Sequence, residues 1–141
     1  MAIIRKATET DQEAVIKLLK NQTLDLYYNR LQYKDFWVAE LDGKIVGCVQ
    51  LEDFGEFLFL GSLGVHPDYH HQGIAKQLMT TILGQAKKDV YLYTIIPKFF
   101  QKFGFQTTKQ AEKIPPRSRF ECDRCEQKKC VIMTRSIEQG G

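Results

Sequence analysis

The feature that most constrains the fold is a strand, a tight turn and a helix that follow one another between residues 57 and 86. The apolar run at 57–65 is typical of a buried strand, and a turn containing Pro67 and Gly73 follows it. A glycine-containing turn at a helix N-terminus presents backbone N–H groups and the positive end of the helix dipole to one small volume. The pattern therefore predicts an anion site, and a phosphate suits it best. The helix is indicated by apolar residues that recur as one stripe: Ile74, Ala75, Leu78, Met79, Ile82, Leu83 and Ala86.

This stretch resembles the acyl-CoA-binding motif of the GNAT superfamily of N-acetyltransferases. In that motif a strand ending in the pattern L-x-V-x-P leads to Arg or Gln, two variable residues, Gly, one variable residue, and then Gly or Ala. His70 departs from the motif, because it occupies the place of the Arg or Gln. Five residues match: Leu63, Val65, Pro67, Gly73 and Ala75.

The resemblance implies an α/β fold, with a mixed, mostly antiparallel sheet of about seven strands and helices on both faces. It also implies acetyl-CoA as co-substrate, with the pyrophosphate on the backbone of residues 70–75 and the pantetheine arm along 63–65. Phe99 and Phe100 would wall the thioester pocket, and Lys102 would approach a cofactor phosphate. The residues assigned to acetyl-CoA in this way are Leu63, Gly64, Val65, His70, His71, Gln72, Gly73, Ile74, Ala75, Phe99, Phe100 and Lys102.

Length and composition predict one domain over residues 1–141, long enough to bury roughly two-thirds of the unfolded surface. A net charge of +3 is too small to indicate nucleic-acid binding, but it suits a polyanionic cofactor. No apolar run approaches the ~20 residues of a membrane span, and the N-terminus is typical of a strand rather than a signal peptide. We therefore expect a cytoplasmic protein, as a monomer or homodimer.

The first 31 residues predict a strand and two helices. Residues 2–7 form the strand, and Thr10 with Glu13 gives a capping-box signature for the helix that follows. A second helix is predicted at 23–31, in a region that by resemblance lies over the acceptor site. The tyrosines there would line a substrate pocket or, in the alternative interpretation, pack against other aromatic residues: Tyr27, Tyr28 and Tyr33.

An Asp42-Gly43 pair between two strand-like runs predicts a hairpin, because both positions of such a turn need positive φ. Pro97 and Gly104 bracket a short helix that feeds a strand at Phe105. The remaining strands are predicted at 36–41, 44–51, 90–95 and 131–137.

The segment 97–105 resembles the second GNAT motif, in which a Tyr precedes x-x-x-Gly-Phe. Here Phe100 replaces that Tyr, and a phenyl ring cannot protonate the departing CoA thiolate. A thiol with a pKa near ~8.5 is a tolerable leaving group without an acid. The replacement therefore predicts slower or water-assisted transfer rather than no transfer.

The general base is harder to assign. Many relatives use a Glu six residues before the position of Val65, and that residue here is Phe59. Three neighbouring carboxylates are weak candidates for the role, with surface charge as the alternative interpretation of each: Glu52, Asp53 and Glu56.

A narrower resemblance concerns the acceptor. The run 91–94 and the aromatic residues after it are similar to the acetyltransferase domain of bacterial N-acetylglutamate synthases and their short relatives. This implies an amino-acid acceptor such as glutamate, whose carboxylate would meet Arg117 or Arg119. Two alternatives stay open. One is a protein amine or a polyamine as acceptor. The other is a non-catalytic acyl-CoA-binding regulatory module, suggested by Phe59 and Phe100 at two usual catalytic positions.

Three thiols lie close together near the C-terminus, at Cys122, Cys125 and Cys130. They would stay reduced, form a disulfide, or share one Zn²⁺, for which three cysteines and no following His leave a tetrahedral site one ligand short. Cys48, in contrast, belongs to a predicted internal strand and is expected to be buried.

Overall fold

The computed structural model of the chain describes residues 2–21, 33–109 and 131–137. Short 3₁₀ turns occur at Glu9–Asp11, Tyr33–Asp35 and Pro67–Tyr69. The helices and strands are β1 (Ile3–Lys6), α1 (Gln12–Asn21), β2 (Phe36–Leu41), β3 (Lys44–Asp53), β4 (Leu58–Val65), α2 (Ile74–Gln85), β5 (Val90–Thr94), α3 (Pro97–Gln101), β6 (Gln106–Thr108) and β7 (Val131–Arg135).

In this described part of the chain the strands form a seven-stranded sheet in the order β1-β2-β3-β4-β5-β7-β6. The β4–β5 pair is parallel, and the other neighbouring pairs are antiparallel. The predicted mixed, mostly antiparallel sheet is therefore confirmed. So is the predicted hairpin, since Asp42 has φ 51° and Gly43 has φ 78°.

Helices cover both faces of the sheet. Successive residues of a strand point to opposite faces, and β3 shows this at two adjacent positions. Gly47 faces Ile74 and Leu78 of α2. Cys48 is fully buried in a cluster with residues of α1. The main core lies on the α2 face, where α2 and α3 pack on apolar residues of the central strands.

The predicted capping box of the first helix is wrong, although α1 begins within two residues of the predicted cap at Thr10. The capping box lies at Thr8 and Asp11, not at Thr10 and Glu13, and α1 begins at Gln12 after the 3₁₀ turn. The N–H of Thr8 donates to Asp11 Oδ2 at 2.7 Å, and Arg5 Nη1 donates to the same oxygen at 2.7 Å. The guanidinium also binds Glu40 of β2, so an ion pair between strands fixes where the helix starts.

Candidate active site

The sheet opens between its two central parallel strands. Pairing of β4 with β5 is confined to Leu58 with Val90 and Phe59 with Tyr91. β4 nevertheless continues through residues 60–65, while β5 stays paired with β7 over its whole length. Beyond Phe59, the edge of β4 on this side is therefore not hydrogen-bonded to β5.

A bulge in β4 accompanies the opening. Cys48 pairs with Gly64 and Gln50 with Gly61, so β4 carries one more residue than β3 over this interval. Ser62 lies within the extra stretch with φ 51°. Bulges bend a strand and increase its twist, and this one lies just beyond the point where β4 stops pairing with β5. The Sγ of Cys48 donates to the carbonyl oxygen of Ser62 at 3.6 Å, and this contact lies against the bulge.

The turn after β4 gathers backbone N–H groups. His71 and Gly73 have φ 65° and 80°, and left-handed residues in a turn point successive N–H groups into one concavity. The first helical hydrogen bond of α2 runs from Gln77 N–H to the carbonyl oxygen of Gly73 at 3.0 Å. The amides of residues 74–76 come before it and therefore have no acceptor within the helix. Within the described residues, the amides of residues 71–73 have no acceptor either.

The surface at Gly73 is open among the described residues. A Cβ built at Gly73 meets no atom of the described residues within 4 Å. An anion with several oxygens, such as a pyrophosphate, fits a concavity of N–H groups at the positive end of a 12-residue helix. The anion site at residues 70–75 stays a prediction, and the left-handed turn before α2 is the feature of the fold that supports it.

Histidines surround the turn. The chain has three, and all lie between positions 66 and 71. One ring nitrogen of His66, Nδ1, accepts from the N–H of Asp68 at 3.1 Å. His70 Nε2 lies 2.8 Å from the carbonyl oxygen of Val65, so this ring ties the turn back to the end of β4. A donor role of His70 toward a phosphate would then belong to Nδ1.

On α3, Phe100 is buried, with its ring centroid 5.9 Å from that of Phe105. Phe99 is half-buried and contacts Phe100 edge-on at a centroid distance of 5.0 Å. Lys102 is exposed just after the helix. Phe100 is thus part of the core, and Phe99 is the more accessible of the two rings.

The three candidate carboxylates lie in different settings. Glu52 is half-buried on β3 and pairs directly with Phe59. By the resemblance described above, Phe59 occupies the position of the Glu that serves as general base in many relatives. Asp53 is exposed and ion-paired with Lys88 at 2.8 Å, which lowers the pKa of its carboxyl. Glu56 is exposed in the turn before β4. Of the three, Glu52 is the one beside the start of the opening.

A fourth carboxylate, Asp35, was missed by the sequence reasoning. It ends the 3₁₀ turn before β2, and burial raises the pKa of its carboxyl, with the charge of Glu52 as the second cause and Lys6 acting oppositely. The strand register of β2 and β3 brings it near Glu52, because Phe36 pairs with Gln50. No local sequence pattern could have found this proximity.

Other predicted residues have limited or no structural description. Tyr33 packs against the α1 cluster, in line with the packing interpretation. Cys48 is buried, as the sequence predicted. Its burial raises the pKa of the thiol to about 12. Predicted site residues outside the described ranges are Tyr27, Tyr28, Arg117, Arg119, Cys122, Cys125 and Cys130.

In the three described ranges, no group of three or more His, Cys, Asp or Glu residues is arranged to hold a metal ion. None of the helices described is long and apolar enough to cross a membrane.

Comparison with known proteins is consistent with this geometry. A family model described as an acetyltransferase (GNAT) domain matches residues 32–107. The chain is 30% identical over 83 residues to the uncharacterized N-acetyltransferase YafP of Escherichia coli (strain K12), and the match covers 57% of this chain and 52% of YafP. The chain thus spans about half the length of this curated relative.

Two solved structures share the fold. The N-acetylglutamate synthase from Neisseria gonorrhoeae, complexed with coenzyme A and N-acetyl-glutamate, gives a TM-score of 0.74 at 23% identity, over 97% of this chain and 35% of that one. Rv2747 from Mycobacterium tuberculosis, in complex with CoA and NLQ, gives 0.77 at 20% identity, over 95% and 98% of the two chains.

Proposed function

This chain belongs to the acetyltransferase (GNAT) family, and we propose that it transfers the acetyl group of acetyl-CoA directly to the primary amine of an amino acid such as glutamate. The observation that carries the proposal is the course of β4. This strand separates from β5 after Phe59 and ends at Val65, where the turn presents its amides. One strand thus connects an anion site to an opening in the middle of the sheet.

In this proposal, different residues bind different parts of acetyl-CoA. The amides of residues 71–76 hold the pyrophosphate, and the free edge of residues 60–65 pairs with the pantetheine arm. Six residues of strand span about 20 Å. The arm therefore has length to run from the turn to the centre of the sheet, where Phe99 and Phe100 wall the thioester. Lys102 contributes a positive charge near the cofactor phosphates.

The narrower part of the proposal is the amino-acid acceptor. One support is the resemblance of residues 91–94, with the aromatic residues after them, to N-acetylglutamate synthases. The other is the fold shared with a synthase crystallised with N-acetyl-glutamate. A second candidate is a polyamine or protein amine, which the nearby carboxylates of Asp35 and Glu52 favour. These carboxylates attract a cation and repel the carboxylate of an amino acid, so the two candidates differ in the charge they bring.

Transfer proceeds without a covalent enzyme intermediate in this proposal. Cys48 is buried with its thiol held protonated, so it is no nucleophile. Phe100 supplies no proton to the CoA thiolate.

The test is a screen of acetyl-CoA consumption against the twenty amino acids, with spermidine and a lysine-containing peptide alongside. Release of CoA thiol with formation of an N-acetyl amino acid, identified by mass spectrometry, is the expected result. Turnover only with spermidine or the peptide would transfer the proposal to the second candidate. Tight binding of acetyl-CoA with no turnover in any arm would replace it with a regulatory module.

A further inference from the structure

On the face of the sheet turned away from α2, one strand position beside the opening is a glycine, Gly61. Alternate residues of β3 point to this face: Cys48 lies under α1, and Gln50 and Glu52 come next on the same side. Their partners on β4 are Gly61, opposite Gln50, and Phe59, opposite Glu52. Gly61 thus adds no side chain to this face, two residues after Phe59, the last residue of β4 that pairs with β5.

The space over Gly61 is defined by its neighbours. A Cβ built there meets one atom of the described residues within 4 Å, the Oε1 of Gln50 at 3.9 Å. On the β5 side, the rings of Phe59 and Tyr93 contact each other with centroids 5.7 Å apart. A small group that approaches Gly61 on this face meets a carboxamide on one side and aromatic rings on the other.

The charge at this place is negative. Glu52 lies two residues along β3 from Gln50, the partner of Gly61, and the half-buried Asp35 lies near enough for Glu52 to raise the pKa of its carboxyl. Lys6 is the cation that acts on Asp35 from β1. Two carboxylates with aromatic rings beside them suit a protonated amine, which binds carboxylates by charge and aromatic faces by cation–π attraction.

We propose that the acceptor's protonated amine binds over Gly61, between Gln50 and Glu52 on one side and the Phe59–Tyr93 ring pair on the other, and that Glu52 takes its proton. This inference rests on the proposed function, because it places the acceptor against the thioester at the opening. It assigns the proton acceptor to β3, directly across from the position on β4 where relatives carry a Glu. The proposed general base thus lies on β3 instead of β4, on the same face of the sheet.

The proton balance is complete. The ammonium loses one proton to the Glu52 carboxylate, directly or through one water. The neutral nitrogen then attacks the thioester carbonyl carbon, so that a C–N bond forms and the C–S bond breaks. The nitrogen sheds its second proton as the amide forms, and the CoA thiolate takes up that proton through water. Glu52 returns its proton to solvent before the next turnover.

Gly61→Ala tests the binding part of the inference. The φ of Gly61 is outside the left-handed region, so alanine is compatible with the backbone there. We expect a several-fold to tenfold rise in KM for the amine found in the screen, with the calorimetric Kd for CoA unchanged. Gly84→Ala is the matched control: it adds the same methyl group in open space on α2, and its kinetics should equal those of the wild type.

Glu52→Gln tests the proton transfer independently. We expect kcat/KM to fall about 10²–10⁴-fold near neutral pH, with the loss shrinking as pH rises, because the amine then arrives neutral. Glu13→Gln, at an exposed glutamate of α1, is the control. The inference fails if Gly61→Ala keeps the wild-type KM, or if Glu52→Gln keeps the wild-type pH profile. A wild type that binds CoA but acetylates no amine contradicts the proposed function instead.

Discussion

Gly47 of β3 and Ile74 of α2 approach so closely that a Cβ on Gly47 would lie 3.0 Å from Ile74 Cγ2. The same Cβ would lie 3.2 Å from Leu78 Cδ1. Gly47 also pairs with Val65, the last residue of β4. A residue without a side chain therefore sets the distance from the sheet to the first turn of α2, next to the strand end from which the anion-binding turn departs.

Gly47→Ala should weaken both the fold and the anion site. The added methyl group has to push the first turn of α2 outward, and overpacking of this kind costs about 1–3 kcal/mol of unfolding free energy. Because the amides of residues 74–76 move with the helix, CoA affinity should fall several-fold. Urea unfolding and calorimetry measure the two effects. An unchanged CoA affinity in a destabilised protein would show that the position of α2 does not matter to the site.

Asp11→Asn should destabilise the protein in a pH-dependent manner. Hydrogen bonds from Arg5 and Thr8 lower the pKa of the Asp11 carboxyl from 3.8 to about 2. A carboxyl with a lowered pKa stabilises the fold above its unfolded value and loses that contribution as pH falls toward its folded value. We expect a loss of about 1–3 kcal/mol at pH 7 that shrinks between pH ~4 and ~2.

Urea unfolding at several pH values measures this, with Glu9→Gln in the same turn as an exposed control. A stability difference that is the same at pH ~3 and pH 7 would contradict the ionic role of Asp11.

Asp35→Asn should change the stability of the protein in the opposite direction to Asp11→Asn. Burial, and then the charge of Glu52, raise the pKa of the Asp35 carboxyl. A raised carboxyl pKa does not destabilise the folded state at a pH below the unfolded-state pKa. The penalty grows as pH rises from the unfolded-state pKa to the folded-state pKa, and it is complete above the folded-state pKa. Asparagine removes that penalty, so the variant should be at least as stable as the wild type at pH 7. Its advantage should vanish below pH ~4. A variant that is less stable at pH 7 would mean that Asp35 has a compensating cation.

His70→Gln should lower CoA affinity several-fold. His70 Nε2 lies 2.8 Å from the carbonyl oxygen of Val65, so the ring ties the turn to the end of β4, and glutamine does not reproduce this geometry. Calorimetry of CoA binding measures the loss. His66→Gln is the control, since His66 instead accepts a bond from Asp68. Affinity equal to that of the wild type would remove His70 from the site.

The features that the sequence predicted well depend on short stretches of chain. The apolar stripe that starts at Ile74 and the positive φ required at Asp42 and Gly43 are local properties. For that reason α2 and the β2–β3 hairpin occur where the pattern indicates them. The turn that the proposed anion site uses is local in the same way, because its amides come from one turn and the first residues of α2.

The features that the sequence did not predict depend on partners distant in the chain. The first helix starts after Thr8 and Asp11 because Arg5 holds Asp11 and also reaches Glu40. The proposed acceptor site over Gly61 depends on the register between β3 and β4. Gln50 pairs with Gly61, next to a bulge in β4, and no periodicity in the sequence reveals that bulge. The proximity of Asp35 to Glu52 likewise requires the pairing of β2 with β3 to be known.

The most direct measurement is calorimetry of CoA binding to the wild type, Gly73→Glu and Gly55→Glu. Gly73 and Gly55 have φ 80° and 93° and open surroundings among the described residues, so glutamate costs about 1–2 kcal/mol of backbone strain at either. Gly55 precedes β4 and Gly73 follows it, so only glutamate at Gly73 places a carboxylate in front of the turn's amides. The account predicts a loss of affinity of tenfold or more for Gly73→Glu and wild-type affinity for Gly55→Glu. Equal affinities in all three proteins would contradict it.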